Sequence, residues 1–281
     1  MHISSSRSIQ KGLVYVIILI AILVTIVPVL EAVRLSLLEH KEVFSLPPKI
    51  PLNPNLENYV LLFSRYKAVY FFKNSIIIAS IVTVISLLAG SIASYSLSRY
   101  YSGKTAGSVF FTAVGYLLFI PPVVTLLAYF EIMSSLKLID SIFALIIPYC
   151  GFNVPLAVWF LKGFFDQFPR DIEDSALVDG CSRVGVFFRI VLPLVMPGII
   201  AVGILIFIMS WNEFLLASFL TRSYNSQTVP ILIASFRSIA YGVEYEKIAA
   251  AIVLSIMPAL AFSFFIRKYL VRGLTAGAVR G

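Results

Sequence analysis

Residues 173–193 read EDSALVDGCSRVGVFFRIVLP: an acidic start, then a glycine, then a basic and amphipathic run. Acidic side chains at this start would complement the positive end of a helix dipole, and Gly180 suits a left-handed turn that ends the helix. Ser182 can cap a second helix, whose apolar stripe would consist of Val184, Phe187, Phe188 and Val191. The segment therefore predicts two short helices joined by a tight turn, suited either to docking on a partner or to lying on lipid headgroups.

The rest of the chain is far more apolar than this segment. Of its 281 residues, 59% are hydrophobic and 13% are charged, and the mean hydropathy is +0.95; a soluble domain carries roughly 25% charged residues. Six charge-free stretches are long enough to cross ~30 Å of hydrocarbon as helices, which satisfy their own backbone hydrogen bonds in lipid. We predict an all-α membrane protein, a single transmembrane domain over residues 1–281, with spans at about 12–33, 74–98, 105–130, 141–163, 193–220 and 248–267.

An even number of spans places both termini on the same side of the membrane. The N-terminal segment carries Arg7 and Lys11 and no acid, and the tail 268–281 is also basic without an acid. The positive-inside tendency assigns such segments to the cytosol. This predicts a multi-pass protein of the cell membrane, with a cytosolic tail and a cytosolic loop at 164–192. Basic cytosolic segments also account for the net charge of +8 without a nucleic-acid partner.

Residues that carry enzyme chemistry are scarce and poorly placed. The chain has two cysteines, and its two histidines, His2 and His40, lie outside the apolar stretches. Neither a metal-ligand spacing nor a nucleophile–histidine arrangement is therefore predicted. Ser102–Thr105 looks like the end of a phosphate-binding loop, but Ser98 replaces the first glycine of that motif and no strand precedes it. We predict no catalytic, cofactor-binding or metal-binding residue in this chain.

Small polar residues near the fourth and fifth spans are candidates for a translocation pathway. The candidate pathway residues are Asn153, Trp211, Asn212 and Glu213. Asn153, Ser210 and Asn212 could donate hydrogen bonds to an uncharged polar solute, or equally to a neighbouring helix. Glu213 falls at the predicted outer end of a span, where a position at the membrane interface is the alternative. Because the six charge-free stretches, 12–30, 74–98, 105–130, 141–161, 190–212 and 248–266, contain no charged side chain, an ion-coupled carrier is disfavoured.

The segment from Asp174 to Pro193 resembles the EAA loop of ABC importer permeases. It reads Asp-Ser-Ala-Leu-Val-Asp-Gly, then nine residues, then Ile-Val-Leu-Pro, and it keeps the family's spacing between Gly180 and the Ile-x-Leu-Pro run. Asp174 replaces the usual Glu, and Ser175 replaces the first Ala. The resemblance extends over nearly the whole chain, since three further stretches are similar to maltose-type sugar permeases: NVPLAVWFLKGFF at 153–165, WNEF at 211–214 and RGLTAGAVRG at 272–281.

This resemblance implies a function and a set of partners. The chain would be one permease of an ATP-driven, binding-protein-dependent sugar importer, assembled with a second homologous permease, two cytosolic ATPase subunits that bind ATP-Mg and an extracellular sugar-binding protein. Residues implied in coupling to the ATPase are Asp174, Ser175, Ala176, Asp179, Gly180, Phe187 and Pro193; those of a tail against the ATPase are Leu274, Thr275 and Gly277. The external segment 221–246 would contact the sugar-binding protein.

The substrate implied is a mono- or oligosaccharide, for example of the glucose or the maltose/trehalose class. Two alternatives stay open at this point. The same architecture could import glycerol phosphate or a polyol, and a six-helix bundle could also act alone as a channel or secondary carrier.

Overall fold

The computed structural model describes the backbone of residues 3–238 and 242–277, and the side chains of residues 13–237 and 242–262. Its long helices are α1 (Ile3–Ser36), α3 (Ala68–Arg99), α6 (Phe143–Gln167), α9 (Leu192–Trp211) and α12 (Tyr245–Gly277). The shorter ones are α2 (Glu57–Ser64), α4 (Thr105–Leu118), α5 (Pro122–Ser135), α7 (Arg170–Val178), α8 (Arg183–Val186), α10 (Leu215–Leu220) and α11 (Val229–Ser235). A 3-10 turn at His40–Glu42, a π-helical turn at Phe187–Val191 and the antiparallel strands β1 (Arg237–Ser238) and β2 (Gly242–Val243) complete the described elements.

Five continuous helical segments are long and apolar enough to cross a membrane: Leu13–Ser36, Ala68–Arg99, Phe143–Gln167, Arg183–Trp211 and Tyr245–Phe262. The pair α4 and α5 makes a sixth span if its two helices are counted as one broken span. The all-α membrane fold predicted from the sequence is thereby confirmed.

The third predicted span, 105–130, is not one straight helix. Its two halves, α4 and α5, meet at an angle of 94°. Pro121 and Pro122 explain the break, because a proline has no N–H to donate and disfavours helical geometry in the residue before it. Pro122 instead opens α5, where a missing N–H costs nothing.

Two compact units are distinguished, Met1–Ala68 with Leu232–Met257, and Val69–Ile231 with Pro258–Gly281. In the first unit, residues 13–31 of α1 are all exposed, so this apolar surface must contact lipid or another protein. The segment after α1 is held to α2 by Asn58, whose side-chain amide donates to the carbonyls of Ser36 and Leu38 at 3.0 and 2.9 Å. The Nδ1 atom of His40 lies within hydrogen-bond distance, 3.1 Å, of the Oε2 atom of Glu246 at the start of α12.

The second unit contains the main apolar core, built from α3, α6 and α9 and from the loop between α6 and α9. Its members include Ile78, Val82, Leu145, Tyr149, Leu161, Phe165, Val186, Phe187, Val191, Val195, Ile199, Val202 and Ile206. Small residues let α3 and α6 approach closely: a Cβ placed on Gly90 would lie 2.4 Å from the Cβ of Ala157. At the same crossing, the Ser94 hydroxyl donates to the carbonyls of Gly90 and Val158.

We predict that Gly90→Val prevents stable folding, since its side chain would overlap the backbone and Cβ of α6 and would force the two helices apart. Thermal unfolding of the detergent-solubilised protein, together with the amount recovered from membranes, measures the effect. Gly163→Ala is the matched control, because a Cβ at this glycine of α6 meets no atom within 4 Å. A Gly90→Val protein with unaltered yield and melting temperature would contradict the packing described here.

Candidate coupling loop and membrane pathway

The loop between α6 and α9 contains the two short helices predicted from the sequence. Helix α7 follows Pro169 and has Asp171 and Glu173 in its first turn. It ends in a Schellman arrangement, in which Cys181 N–H donates to the Ala176 carbonyl at 3.0 Å and Gly180 N–H donates to the Leu177 carbonyl at 3.1 Å. Gly180 has φ +88°, and a Cβ there would meet no atom within 4 Å. Glycine is therefore needed for its backbone conformation and not for space.

The second helix begins as predicted but continues differently. The Ser182 hydroxyl accepts a hydrogen bond from Gly185 N–H at 3.1 Å and caps α8. A π-helical turn follows and runs directly into α9, so Pro193 lies within the first turn of α9 and does not end the element. The turn accommodates the proline, because Leu192 N–H reaches back five residues to the Phe187 carbonyl.

The π-helical turn also changes which side chains are buried. Val186, Phe187 and Val191 lie in the core, whereas Val184 and Phe188 are 68% and 54% exposed. The stripe predicted at Val184, Phe187, Phe188 and Val191 was therefore wrong at two of its four positions. An α-helical period cannot describe this segment, since a π-helical turn contains more residues than an α-helical one.

The residues predicted to couple to an ATPase divide into two sets in the structure. Asp174, Ser175, Asp179, Gly180 and Pro193 are exposed, while Ala176 and Phe187 are buried in the core. Three apolar side chains of the same loop, Val178, Val184 and Phe188, are also exposed, and the sequence analysis had placed Val184 and Phe188 in the apolar stripe. We define the coupling surface as Asp174, Val178, Val184 and Phe188, of which Val178 is 88% exposed. Such a mixed apolar and acidic surface is typical of a site of protein contact.

A buried ion pair, also missed at the sequence level, joins this loop to α3. Glu173 accepts from the Arg99 guanidinium at 2.6 Å and from the Tyr95 hydroxyl at 2.8 Å. Both charged side chains are only 8% exposed. Removing one partner of a buried pair costs about 3–5 kcal/mol, because the other charge is left uncompensated. Glu173 is one of several acids at the start of α7, and no signal in the sequence connects it to a residue 74 positions earlier.

Two of the four candidate pathway residues share a pocket. Asn153 and Glu213 line a cavity of about 280 Å³ together with Tyr149 and Ser210. Glu213 accepts from the Tyr149 hydroxyl and from the backbone N–H groups of Leu216 and Ala217. It thereby supports the start of α10 after the break in the predicted span 193–220, where α9 ends at Trp211.

The other two pathway candidates lie elsewhere. Trp211 is buried, and its ring centroid lies 6.0 Å from that of Phe207 and 6.1 Å from that of Phe72. The exposed Asn212 donates its side-chain amide to the Ile208 carbonyl at 2.9 Å within its own helix. The structure therefore separates Trp211 and Asn212 from the pocket that contains Asn153 and Glu213.

The segment after α10 is fixed to the first part of α3 and to the turn between α5 and α6. Asp140 accepts from the backbone N–H groups of Arg222 and Ser223 at 2.9 and 2.8 Å and from the Ser226 hydroxyl. Asn74 donates to the carbonyls of Tyr224 and Gln227, each at 2.9 Å. The start of the predicted external segment 221–246 is thus held by side chains from two neighbouring helix ends.

The environment of Asp140 changes its pKa. Burial raises the pKa, but the hydrogen bonds from Ser226, Arg222 and Ser223 together outweigh it and lower the pKa from the usual 3.8 to about 2. Because the pKa is lower in the folded state, the bonds stabilise the fold at every pH above about 4. That contribution is lost as the pH falls through about 2.

The remaining predicted residues have less structural description. Helix α12 extends to Gly277 and so includes the backbone of Leu274 and Thr275, but the side chains of these tail residues and all of 278–281 lie outside the described part.

Among residues that the structure describes, no cluster of His, Cys, Asp and Glu could hold a metal ion.

Comparison with known proteins agrees with this arrangement. Residues 86–276 match the family model "Binding-protein-dependent transport system inner membrane component", and the chain belongs to this family. It is 34% identical over 238 residues to the trehalose/maltose transport system permease protein MalG of Thermococcus litoralis, covering 83% of this chain and 84% of that protein. It is 35% identical over 232 residues to the sulfoquinovosyl glycerol transport system permease protein SmoH of Agrobacterium fabrum, covering 82% and 80%.

The fold has a solved counterpart as well. A chain in the crystal structure of a bacterial ABC transporter involved in import of the acidic polysaccharide alginate aligns with a TM-score of 0.77 at 19% identity, covering 94% of this chain and 97% of that one. Together these matches confirm a multi-pass permease subunit of a binding-protein-dependent importer. They also confirm that the chain is a transport component and not an enzyme, which removes the alternative of a carrier or channel acting alone.

We predict that Asp140→Ala frees the segment 222–226, because three hydrogen bonds lose their acceptor at neutral pH. Hydrogen–deuterium exchange of the purified protein should show roughly tenfold faster exchange of these amides, the change expected when about 1.4 kcal/mol of local stability is lost. Glu131→Ala, at an exposed acid of α5, is the control and should leave that exchange unchanged. Equal exchange in both variants would show that Asp140 does not hold the segment.

Proposed function

We propose that this chain forms half of the translocation pathway of an ATP-driven sugar importer, as a single transmembrane domain over residues 1–281. A second homologous permease forms the other half. Two cytosolic ATPase subunits bind and hydrolyse ATP-Mg, and an extracellular sugar-binding protein delivers the substrate. The single observation that carries this proposal is the exposed two-helix loop at α7 and α8, which has the spacing of the EAA motif and presents an acidic and apolar surface.

The coupling surface provides the mechanical link to the ATPase. Asp174 is exposed at its edge, so its carboxylate is available for a basic side chain of the ATPase. Val178, Val184 and Phe188 provide apolar area that burial against a partner would stabilise by about 25 cal/mol per Å². ATP binding closes the ATPase subunits, and differential affinity of the two permease states for the closed form drives the change in access. The tail at Leu274, Thr275 and Gly277 extends along the same ATPase subunit.

The substrate is a mono- or oligosaccharide of the glucose or maltose/trehalose class. The two related permeases named above serve transport of a disaccharide and of a glycoside, and these substrates share hydroxyl groups on a sugar ring. The pocket lined by Asn153, Ser210 and Glu213 offers hydrogen-bonding groups and an acid. The residues that line this pocket include no Lys or Arg that could pair with a phosphate, which favours a sugar over glycerol phosphate.

Reconstitution of the four-component importer in proteoliposomes tests the proposal. We expect accumulation of a sugar from the glucose or maltose/trehalose class when ATP reaches the ATPase, and none without the binding protein. Uptake that persists after omission of the ATPase would contradict it. Accumulation of glycerol phosphate but of no sugar would select the other substrate class.

In this assay, Gly180→Val should abolish uptake and Gly180→Asn should retain most of it. Both variants add a side chain into open space, but a β-branched residue adopts a positive φ poorly, whereas Asn adopts it readily. Sugar uptake and co-purification of the ATPase are the measurements. Equal activity of the two variants would mean that the left-handed turn at Gly180 does not determine the shape of the loop between α6 and α9.

We further propose that both termini and the coupling surface face the cytosol. Val178→Cys and Tyr224→Cys, each introduced into a chain with Cys150→Ser and Cys181→Ser, place single thiols at two exposed positions. A membrane-impermeant maleimide should label Tyr224→Cys in intact cells and Val178→Cys in inverted vesicles. Labelling of Val178→Cys from outside intact cells would reverse the orientation and refute cytosolic coupling.

A further inference from the structure

The coupling loop, residues 168–191 between α6 and α9, is connected to the membrane helices in two ways. The backbone joins α7 directly to α6 and joins α8 through the π-helical turn to α9. Helix α3 has no such covalent link, since it ends at Arg99 and α7 begins at Arg170. Any movement of α3 with the loop must therefore pass through side chains.

The side chains that make this connection converge on the last turn of α3. Glu173 of α7 accepts from Tyr95 and Arg99. One residue of α7 also reaches the backbone of that turn, because Arg170 donates to the Ser98 carbonyl at 2.9 Å. Arg99 makes a further bond to the Phe168 carbonyl at 3.1 Å, just before α7 begins. The end of α3 is thus bonded to residues on both sides of Pro169: to Phe168 before it, and to Arg170 and Glu173 after it.

These bonds lie at the edge of the apolar core of the second unit. The Tyr95 ring centroid lies 4.8 Å from that of Phe187 and 5.8 Å from that of Phe165, two side chains of the buried core. Glu173 is buried although it lies on a helix whose other acids, Asp171 and Asp174, are exposed. A hydrogen bond with an ionised partner is roughly twice as strong as a neutral one. Tyr95, Arg99 and Glu173 also line a cavity of about 130 Å³, but the two charged side chains are only 8% exposed.

We propose that Glu173, Tyr95 and Arg99 form a clasp that makes α3 move with the coupling loop. This inference rests on the proposed function of the loop. The three are positioning residues: they contact neither sugar nor nucleotide, and they pass displacement of α7 to a third membrane helix. Asp174, the next residue in the chain, has a different task at the exposed surface. The two adjacent acids thus have different partners: Glu173 bonds to the membrane helix α3, and Asp174 faces the ATPase subunit.

A distance measurement on the assembled importer tests the clasp directly. Spin labels at Tyr101→Cys, just beyond α3, and at Ile172→Cys, on α7 but outside the coupling surface, both occupy exposed positions. Cys150→Ser and Cys181→Ser remove the native thiols. With the clasp intact, the distance distribution between the labels should be the same before and after addition of ATP. With Glu173→Gln added, the distribution should shift or broaden on addition of ATP.

Transport efficiency supplies the second readout. In Glu173→Gln, the amount of sugar moved per ATP hydrolysed should fall roughly tenfold, within the range typical of coupling between two sites. Lys49→Gln is the control, because it removes an ion pair of 2.9 Å with Glu42 in the segment between α1 and α2, outside α3 and the coupling loop. We expect Lys49→Gln to leave both the distance and the ratio as in the wild type.

A third variant separates transmission from folding. Tyr95→Phe combined with Arg99→Met and Glu173→Met replaces the clasp by apolar groups, so no buried charge is left without a partner. This variant should assemble with the ATPase yet keep the low ratio of sugar to ATP and the ATP-dependent change in distance. Wild-type values for both would overturn the proposal, and so would failure of this variant to assemble, since the three residues would then serve only the fold.

The two proposals fail in different ways. If the wild-type assembly accumulates no sugar in response to ATP, the proposed function is wrong. The distance between labels at 101 and 172 still reports whether α3 follows α7, because that measurement requires ATP and the ATPase but no sugar. A constant distance in Glu173→Gln would refute the clasp even in a fully active importer.

Discussion

The structure depends on the requirement that backbone N–H and C=O groups in lipid find partners within the chain. A charge-free polypeptide meets this requirement by forming helices, and each interruption of a helix needs a substitute. Where α9 ends at Trp211, the Glu213 carboxylate accepts from N–H groups of the first turn of α10. Where Pro193 removes a donor, a π-helical turn shifts the bonding by one residue. At each of these two breaks, other groups thus replace the missing backbone hydrogen bonds.

The loop between α6 and α9 is exposed, unlike the buried parts of the helices, and several contacts hold it in place. Gly180 fixes the angle between its two helices by a left-handed turn, and Ser182 satisfies the second helix start. Phe187 and Val186 anchor the loop in the apolar core, while Glu173 anchors it by charge. A loop attached at several points can pass on a force, whereas a freely hinged one would dissipate it.

Much of this arrangement could be predicted from residue type and spacing. The helical membrane fold follows from composition, and the turn at Gly180 and the cap at Ser182 follow from local backbone chemistry. Three features could not be predicted. Pro121 and Pro122 account for a break between α4 and α5, but they do not by themselves fix its angle of 94°. The π-helical turn that accompanies burial of Phe187 and Val191 and exposure of Phe188 has no residue pattern that predicts it. That Asn153 and Glu213 line one cavity while Trp211 packs near Phe72 and Phe207 depends on how the helices pack.

The amino-acid sequence alone therefore determined that the chain lies in a membrane, and that a short pair of helices with an EAA-like spacing projects from it. These properties follow from the composition of continuous segments and from the conformational preferences of single residues. Only the tertiary structure decided that Glu173 is buried against Arg99 while Asp174 is exposed. Two adjacent acids on a helix point in different directions, and which of them meets a cation depends on a helix end more than 70 positions earlier in the chain.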